Sequence, residues 1–219
     1  MKKVDAKEIT LSLIKWLDKH NDSKVITTEI SINTSIGVKV ADVVMSNGHL
    51  VAYEVKSELD NTLRLENQIN GYSEIFDYVY IVYWGAKFSL DELNLPKHVG
   101  AIEAYYDREQ NIIFTVRNRA YKNYQLDTPH IAKMLWKNEL FYYLDKKNVE
   151  VKRSACKDIL CDLFEMNYSK RESLQIIKNV FKGRFDKGFT AFKQASSHED
   201  ALQCLIKNKQ NMNYLDALR

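Results

Sequence analysis

The sequence contains few of the residues that break or cross-link a chain. Its 219 residues include two prolines, seven glycines and three cysteines. So little proline and glycine argues against a flexible linker between the two halves of the chain. The cysteine number is odd, and no histidines stand at zinc-finger spacing, so a zinc site is not expected. We expect Cys156, Cys161 and Cys204 to be buried apolar thiols.

Long apolar runs are also missing. No stretch approaches the roughly 18 residues that a membrane-spanning helix needs. The opening residues "MKKVDAKEIT" are charged and do not form the apolar centre of a signal peptide. Hydrophobic residues still make up 45% of the chain and charged residues 28%, which suits a folded core. We therefore expect a folded, cytoplasmic protein with no membrane partner.

The charge is small overall but unevenly distributed. The net charge is +3, yet residues 1–128 carry 15 basic and 18 acidic residues, whereas residues 129–219 carry 17 and 11. A basic second half predicts a polyanion partner, although a solvated helical surface explains the same excess.

Hydrophobic periodicity predicts an α/β fold, followed by an α-helical region. Apolar residues of 5–20 recur at helical spacing, and 23–32, 38–46 and 49–57 resemble strands. A helix over 58–76 and a strand over 77–84 follow, and 99–107 and 111–118 form a second strand pair. Helices are predicted over 131–147, 157–167, 169–185 and from 198, with a capping box at Ser169 and Glu172. We place a boundary between residues 1–128 and 129–219.

The hairpin around Asn47–Gly48 carries an unusual set of charges. Glu54 and Lys56 are two residues apart, so they share one face of their strand. A two-residue turn would place Asp42 opposite Tyr53 or Glu54, and a small register change or bulge would bring the two carboxylates together. Two such carboxylates in an apolar sheet need a compensating cation: Lys56 supplies one positive charge, and a hard divalent ion such as Mg²⁺ or Mn²⁺ would supply two more.

The spacing of Asp42 and the "EVK" of Glu54–Lys56 resembles the PD-(D/E)xK, or restriction-endonuclease-like, nuclease superfamily. The resemblance covers roughly residues 5–85, includes an αβββαβ core order and implies a mixed sheet. The string "YEVKSELDNTLRLENQINGYSEIFDYVYIVY" also resembles small bacterial and phage members of that superfamily. The resemblance implies a magnesium-dependent deoxyribonuclease, with Asp42 and Glu54 as metal ligands and Lys56 beside the attacking water.

The helix after the hairpin adds further site candidates. Gln68 and Tyr72 lie four residues apart on one helical face, in the Q-x-x-x-Y arrangement of some nucleases of the superfamily. The resemblance implies that they act with the catalytic residues, while Arg64, one turn earlier, could contact a DNA phosphate. An additional metal-binding acid is either Glu29 or Glu8. Glu29 is favoured because a carboxylate is less expected within a run of β-branched residues than on the surface of a helix.

The second half of the chain contains basic clusters without a diagnostic motif. Lys152 and Arg153 lie in a basic loop between two predicted helices and are expected to contact DNA phosphates. A second basic set contains Lys178, Lys182, Arg184 and Lys187.

Three functions remain open from the sequence. The first is the DNA nuclease, and the second is a non-catalytic nucleic-acid-binding or interaction protein on a similar fold. The third is a metal-free structural hairpin in an oligomeric scaffold, and the sequence leaves open whether a homodimer forms.

Overall fold

The computed structural model describes residues 3–124, 126, 128–207 and 214–215. Over these residues the chain has α/β structure: an N-terminal helix, a six-stranded mixed sheet with interspersed helices, and a helical region. The elements up to the last strand are α1 (Ala6–His20), β1 (Val25–Thr34), β2 (Gly37–Ser46), β3 (Leu50–Lys56), α2 (Leu65–Ser73), β4 (Tyr78–Trp84), α3 (Leu90–Leu93), β5 (Gly100–Tyr106) and β6 (Ile112–Asn118). The helical region contains α4 (Thr128–Ala132), α5 (Lys137–Lys146), α6 (Lys157–Asn167), α7 (Lys170–Gln194) and α8 (His198–Lys207).

The strands lie in the sheet in the same order as in the chain, from β1 to β6. The pairs β1–β2, β2–β3 and β5–β6 are antiparallel, whereas β3–β4 and β4–β5 are parallel. Every residue of β3 is buried, as expected for a central strand. The predicted α/β class and mixed sheet are confirmed.

Helices cover the sheet because their apolar side chains repeat at helical spacing. The helix α1 begins at Asp5, whose carboxylate accepts a hydrogen bond from the backbone N–H of Glu8. Its buried face includes Ile9, Leu13 and Leu17 and packs on β2, β3 and β6. The helix α2 packs on β2 and β4, and this packing places its polar residues against β3.

The helical region packs directly on the sheet through α7. This helix begins with the predicted capping box of Ser169 and Glu172, and four phenylalanines of α7 are buried, at 181, 185, 189 and 192. It contacts β1 and β2, and the hydroxyl of Ser46 donates to the backbone carbonyl of Lys178 at 3.4 Å. Among the described residues, no helix is both long and apolar enough to cross a bilayer.

Three predicted helices differ in the structure. The helix predicted over 169–185 continues to Gln194 in α7. The helix predicted over 58–76 begins only at Leu65, because Asp60 accepts hydrogen bonds from the N–H and hydroxyl of Ser57 and closes a local turn instead. The helix predicted over 131–147 is two helices, since α4 ends at Ala132 and α5 begins after Trp136. The backbone N–H of Trp136 donates a hydrogen bond to the Glu139 carboxylate and so caps the start of α5.

Candidate functional site

The turn between β2 and β3 sets the register of the predicted hairpin. Ser46 pairs with Leu50, so the turn has three residues rather than two, and Gly48 has a positive φ of +95°, which glycine adopts without steric cost. Val43 then pairs with Tyr53, and the same register continued by one step places Asp42 opposite Glu54. The longer turn therefore supplies the register change that the sequence required.

Five polar side chains meet at this place, and we call them the carboxylate cluster: Asp42, Glu54, Lys56, Gln68 and Tyr72. Oδ2 of Asp42 accepts a hydrogen bond of 2.7 Å from the backbone N–H of Val55. The Lys56 ammonium lies 2.9 Å from Oε1 of Glu54 and donates to Oε1 of Gln68 at 2.9 Å. Only 3% of Glu54 and 6% of Lys56 is exposed, so this ion pair is buried.

The helix α2 completes the cluster from above β3. The amide of Gln68 donates to Oε1 of Glu54, and the hydroxyl of Tyr72 lies 2.6 Å from Oε2 of Glu54 and 2.7 Å from the carbonyl of Val40. Residues four apart face the same way on a helix, which explains why both side chains reach Glu54. Both oxygens of Glu54 are thus occupied by protein donors.

The cluster carries one negative charge more than its lysine neutralises. The pKa of Asp42 is raised to about 7, first by burial and then by the charge of Glu54, while the Val55 N–H and Lys56 oppose the rise. The pKa of the Tyr72 hydroxyl is also raised, by burial and by Glu54, so Tyr72 is a neutral donor. Chemically, the cluster can take up a proton near neutral pH or attract a cation.

None of the hydrogen bonds described above involves the other predicted site residues. Glu29 is exposed, has a left-handed φ of +54°, and stands opposite Asp42 where the β1–β2 pairing lapses. The other carboxylates that raise the pKa of Asp42 are Glu54 and Asp60, and neither Glu29 nor Glu8 is among them. The exposed Arg64 precedes the first residue of α2.

Lys152 and Arg153 are exposed in the loop between α5 and α6. The structure therefore leaves their side chains accessible to a partner, as their predicted contact with DNA requires.

Sequence reasoning missed a second polar site, which we call the basic groove. This cavity of about 410 Å³ lies between the segment after β6 and the first turns of α7. Four cationic side chains line it around one carboxylate, and these are Lys122, Lys170, Arg171, Lys178 and Asp77. The signal in the sequence was the pair Lys170–Arg171 directly after the capping residue Ser169.

Among the described residues that line the basic groove, Asp77 is the carboxylate, and it is already paired. Asp77 is buried, accepts a hydrogen bond of 2.7 Å from the N–H of Leu50, and lies 2.9 Å from the Lys178 ammonium. The neighbouring His49 has a lowered pKa, because of burial and of the nearby charges of Lys178 and Lys122, although Asp77 opposes them. The groove is therefore electropositive.

These features define an α/β protein with a mixed six-stranded sheet, a buried carboxylate–lysine cluster and a separate basic groove. A family model described as "Bacteriophage P4 protein cII" matches residues 1–206, so the chain belongs to this family. Protein cII of Enterobacteria phage P4 is 26% identical to it over 181 residues, which cover 80% of this chain and 67% of the phage protein. No solved structure matches the chain.

The family assignment corrects the prediction of a PD-(D/E)xK nuclease and of a magnesium-dependent deoxyribonuclease. The family that matches nearly the whole chain is that of protein cII, and it gives no support to a hydrolase. Among the residues that the structure describes, no group of three or more histidine, cysteine, aspartate or glutamate side chains is placed to hold a metal. The physical reason for the error is that an Asp followed by E-x-K also builds a hydrogen-bonded core cluster.

Proposed function

We propose that this protein binds DNA through the basic groove. The observation that carries the proposal is that four cationic side chains surround a carboxylate that is already buried and paired. Phosphate groups are the complementary partner, because each one accepts hydrogen bonds and carries a full negative charge. Contacts of this kind hold nucleic acid without reading its sequence.

The position of two groove cations supports the proposal. Lys170 and Arg171 are exposed in the first turn of α7, where the helix dipole favours acidic side chains and disfavours basic ones. Neither residue is buried, so packing does not explain its presence there. A bound polyanion at this helix end would turn the unfavourable placement into a favourable one.

The proposal is tested by fluorescence anisotropy with labelled DNA over a series of salt concentrations. The double variant Lys170→Ala/Arg171→Ala removes two cations and should weaken binding at low salt. It should also make the negative slope of log K against log salt shallower by about two. The matched control is Lys7→Ala/Arg108→Ala, which removes two exposed cations elsewhere and should keep the wild-type slope. Equal affinities for wild type and the groove variant would refute the proposal.

The predicted DNA contacts Arg64, Lys152 and Arg153 are part of the same proposal. Each is exposed, so each can be changed without disturbing the core. Arg64→Ala and Lys152→Ala/Arg153→Ala enter the same titrations as separate variants. A lowered salt slope in either one extends the DNA surface to α2 or to the α5–α6 loop.

We also propose that the carboxylate cluster binds Mg²⁺ or Mn²⁺, with Asp42 as the principal metal ligand. The donor chemistry fits a hard cation, because Asp42 and Glu54 leave an excess negative charge in a buried place. The cation would supply the neutralising charge. Glu54 can only share it, because Lys56, Gln68 and Tyr72 occupy its oxygens.

A thermal melt at pH 8 tests the cation proposal. MgCl₂ or MnCl₂ should raise the melting temperature of the wild type above that in NaCl of equal ionic strength. The Asp42→Asn variant should lose this increase, and Glu29→Gln and Glu8→Gln decide which of these acids assists. An increase that survives in Asp42→Asn would contradict the assignment.

Two further expectations belong to the proposal. The order α1, β1–β3, α2, β4 is an αβββαβ order, and we propose a restriction-endonuclease-like architecture here in fold alone. The cytoplasmic location and the homodimer stay predictions, and light scattering of the purified protein would measure the number of copies.

A further inference from the structure

Two tyrosines beside the basic groove are exposed to an unusual degree. The chain has 13 tyrosines, nine phenylalanines and three tryptophans, all of which the structure describes. Among them only Tyr121 and Tyr124 are exposed, at 69% and 78%. Water contact of a large ring is unfavourable, so two such rings within four residues call for a partner.

The segment that carries these rings is held in place by its backbone. The N–H of Tyr121 donates to the carbonyl of His98 at 3.0 Å, and the N–H of Asn123 donates to the carbonyl of Asp77 at 2.8 Å. The side-chain amide of Asn123 donates to the carbonyl of Ser73. The exposure of Tyr121 and Tyr124 is therefore a property of an ordered segment across the start of β4.

Tyr124 and the groove cations form one continuous surface, and Tyr121 lies three residues before Tyr124 in the same segment. The Lys170 ammonium donates to the carbonyl of Tyr124 at 3.3 Å, which joins the segment to the first turn of α7. The Lys122 ammonium lies 5.5 Å from the centre of the Tyr124 ring. Tyr124 also lines the groove together with Lys122, Lys170 and Arg171. Aromatic faces and phosphate-binding cations thus occur side by side.

We propose that this surface binds single-stranded DNA, with bases stacked on Tyr121 and Tyr124 and phosphates held by Lys122, Lys170 and Arg171. The inference rests on the proposed DNA binding and adds the form of the DNA. In a duplex the base faces are covered by their neighbours, so they cannot stack on a protein ring. In a single strand each base has an accessible face, and stacking on an aromatic side chain together with backbone neutralisation is the usual mode of binding.

The experiment compares a labelled single-stranded oligonucleotide with the duplex, an RNA of equal sequence and an abasic strand of equal charge. The wild type should prefer the single-stranded DNA to the duplex and to the abasic strand. Tyr121→Ala/Tyr124→Ala should weaken binding to the single strand at least tenfold, because stacking of one base is worth about fivefold or more and the variant removes two rings. The same variant should bind the abasic strand as the wild type does.

The matched control is Tyr121→Phe/Tyr124→Phe, which keeps both rings and should keep the preference for the single strand. Circular dichroism checks that the variants are folded. The inference is overturned if the wild type binds the duplex as tightly as the single strand or more tightly, and Tyr121→Ala/Tyr124→Ala has no effect. If Lys170→Ala/Arg171→Ala still weakens binding in that case, the proposed DNA binding stands. Tighter binding of the RNA overturns the assignment to DNA. No binding of any strand overturns both proposals.

Discussion

Asp42 is a carboxylic acid in a place where its ionisation is unfavourable. Its pKa is raised from an ordinary 3.8 to about 7, because burial and Glu54 outweigh the Val55 N–H and Lys56. Between these two values the folded protein holds a proton that the unfolded chain has lost. The contribution of Asp42 to stability therefore falls as the pH rises from about 4 to about 7, by at most about 1.4 kcal/mol per pH unit, and is constant above that range.

The Asp42→Asn variant should be more stable than the wild type at pH 8. Asparagine is neutral and keeps an oxygen for the Val55 N–H, so the variant avoids the unfavourable charge and should gain about 2–4 kcal/mol at pH 8. At pH 4 the two proteins should be nearly equal. Urea unfolding at both pH values measures the difference. Asp186→Asn, at an exposed position of α7, is the control and should show no such pH dependence. A less stable Asp42→Asn at pH 8 would contradict the raised pKa.

At the scale of elements, β1 contains a local backbone distortion at Glu29. Its φ of +54° lies in the left-handed region, which costs a non-glycine residue about 1 kcal/mol. The pairs Thr28–Val43 and Ile30–Ala41 stand on either side of it, so the distortion interrupts the ladder beside Asp42. Glycine adopts this conformation without the steric cost of a Cβ.

We expect Glu29→Gly to be more stable than Glu29→Ala by about 1 kcal/mol. Both variants remove the carboxylate, so their difference isolates the backbone term. The matched pair is Ser31→Gly and Ser31→Ala, two residues along the same strand at an exposed position without a positive φ. There the order should reverse, because glycine weakens an ordinary strand. Chemical denaturation gives the stability of all four variants. If the alanine variant is the more stable one at both positions, the backbone at Glu29 is not strained.

The helix α7 is connected to the rest of the helical region by a buried ion pair. Arg184 and Glu139 are exposed by only 4% and 0%, and Nε of Arg184 donates to Oε1 of Glu139 at 3.2 Å. The guanidinium also donates to the carbonyl of Met134 and lies 3.9 Å from the centre of the Trp136 ring. The hydroxyl of Tyr214 donates to Glu139 as well. This pair holds α5, α7 and the residue Tyr214 together.

Arg184→Met should destabilise the protein by about 3–5 kcal/mol, because it leaves the Glu139 carboxylate buried without its cation. The double variant Arg184→Met/Glu139→Gln should recover part of this loss, since the buried charge is then removed too. Lys187→Met changes an exposed cation of the same helix and should have an effect near zero. Melting temperatures and urea midpoints measure all three. A near-zero effect of Arg184→Met would show that the pair is not essential.

Particular residues show how far the sequence could be interpreted. The E-x-K spacing and the i, i+4 pair Gln68–Tyr72 were sufficient to predict which side chains meet, because strand and helix periodicity fix a face. Turn length was not predictable, since Asn47–Gly48 fits a two-residue turn as well as the three-residue turn that forms. Arg184 was grouped with solvated cations, because its partner Glu139 lies 45 residues away and only the tertiary fold brings them together.

At the scale of the whole molecule, the second half of the chain packs directly on the sheet. The helix α7 contacts β1 and β2, and its Lys178 forms the ion pair with Asp77 at the start of β4. The predicted boundary between residues 1–128 and 129–219 separates residues that contact each other across it. Shared burial of this kind couples the unfolding of the two halves.

We therefore expect both halves to unfold in one transition, and the three tryptophans provide the measurement. Trp16 and Trp84 lie in the sheet-containing half, whereas Trp136 stacks on Arg184 in the helical half. Trp136→Phe leaves the first half fluorescent, and Trp16→Phe/Trp84→Phe leaves the second. If the two halves unfold together, the unfolding curve measured by tryptophan fluorescence coincides, in each variant, with the curve measured by far-ultraviolet circular dichroism. If the fluorescence of one half changes at a lower urea concentration than the circular dichroism, the two halves are separate domains, as the change in composition near residue 128 suggested.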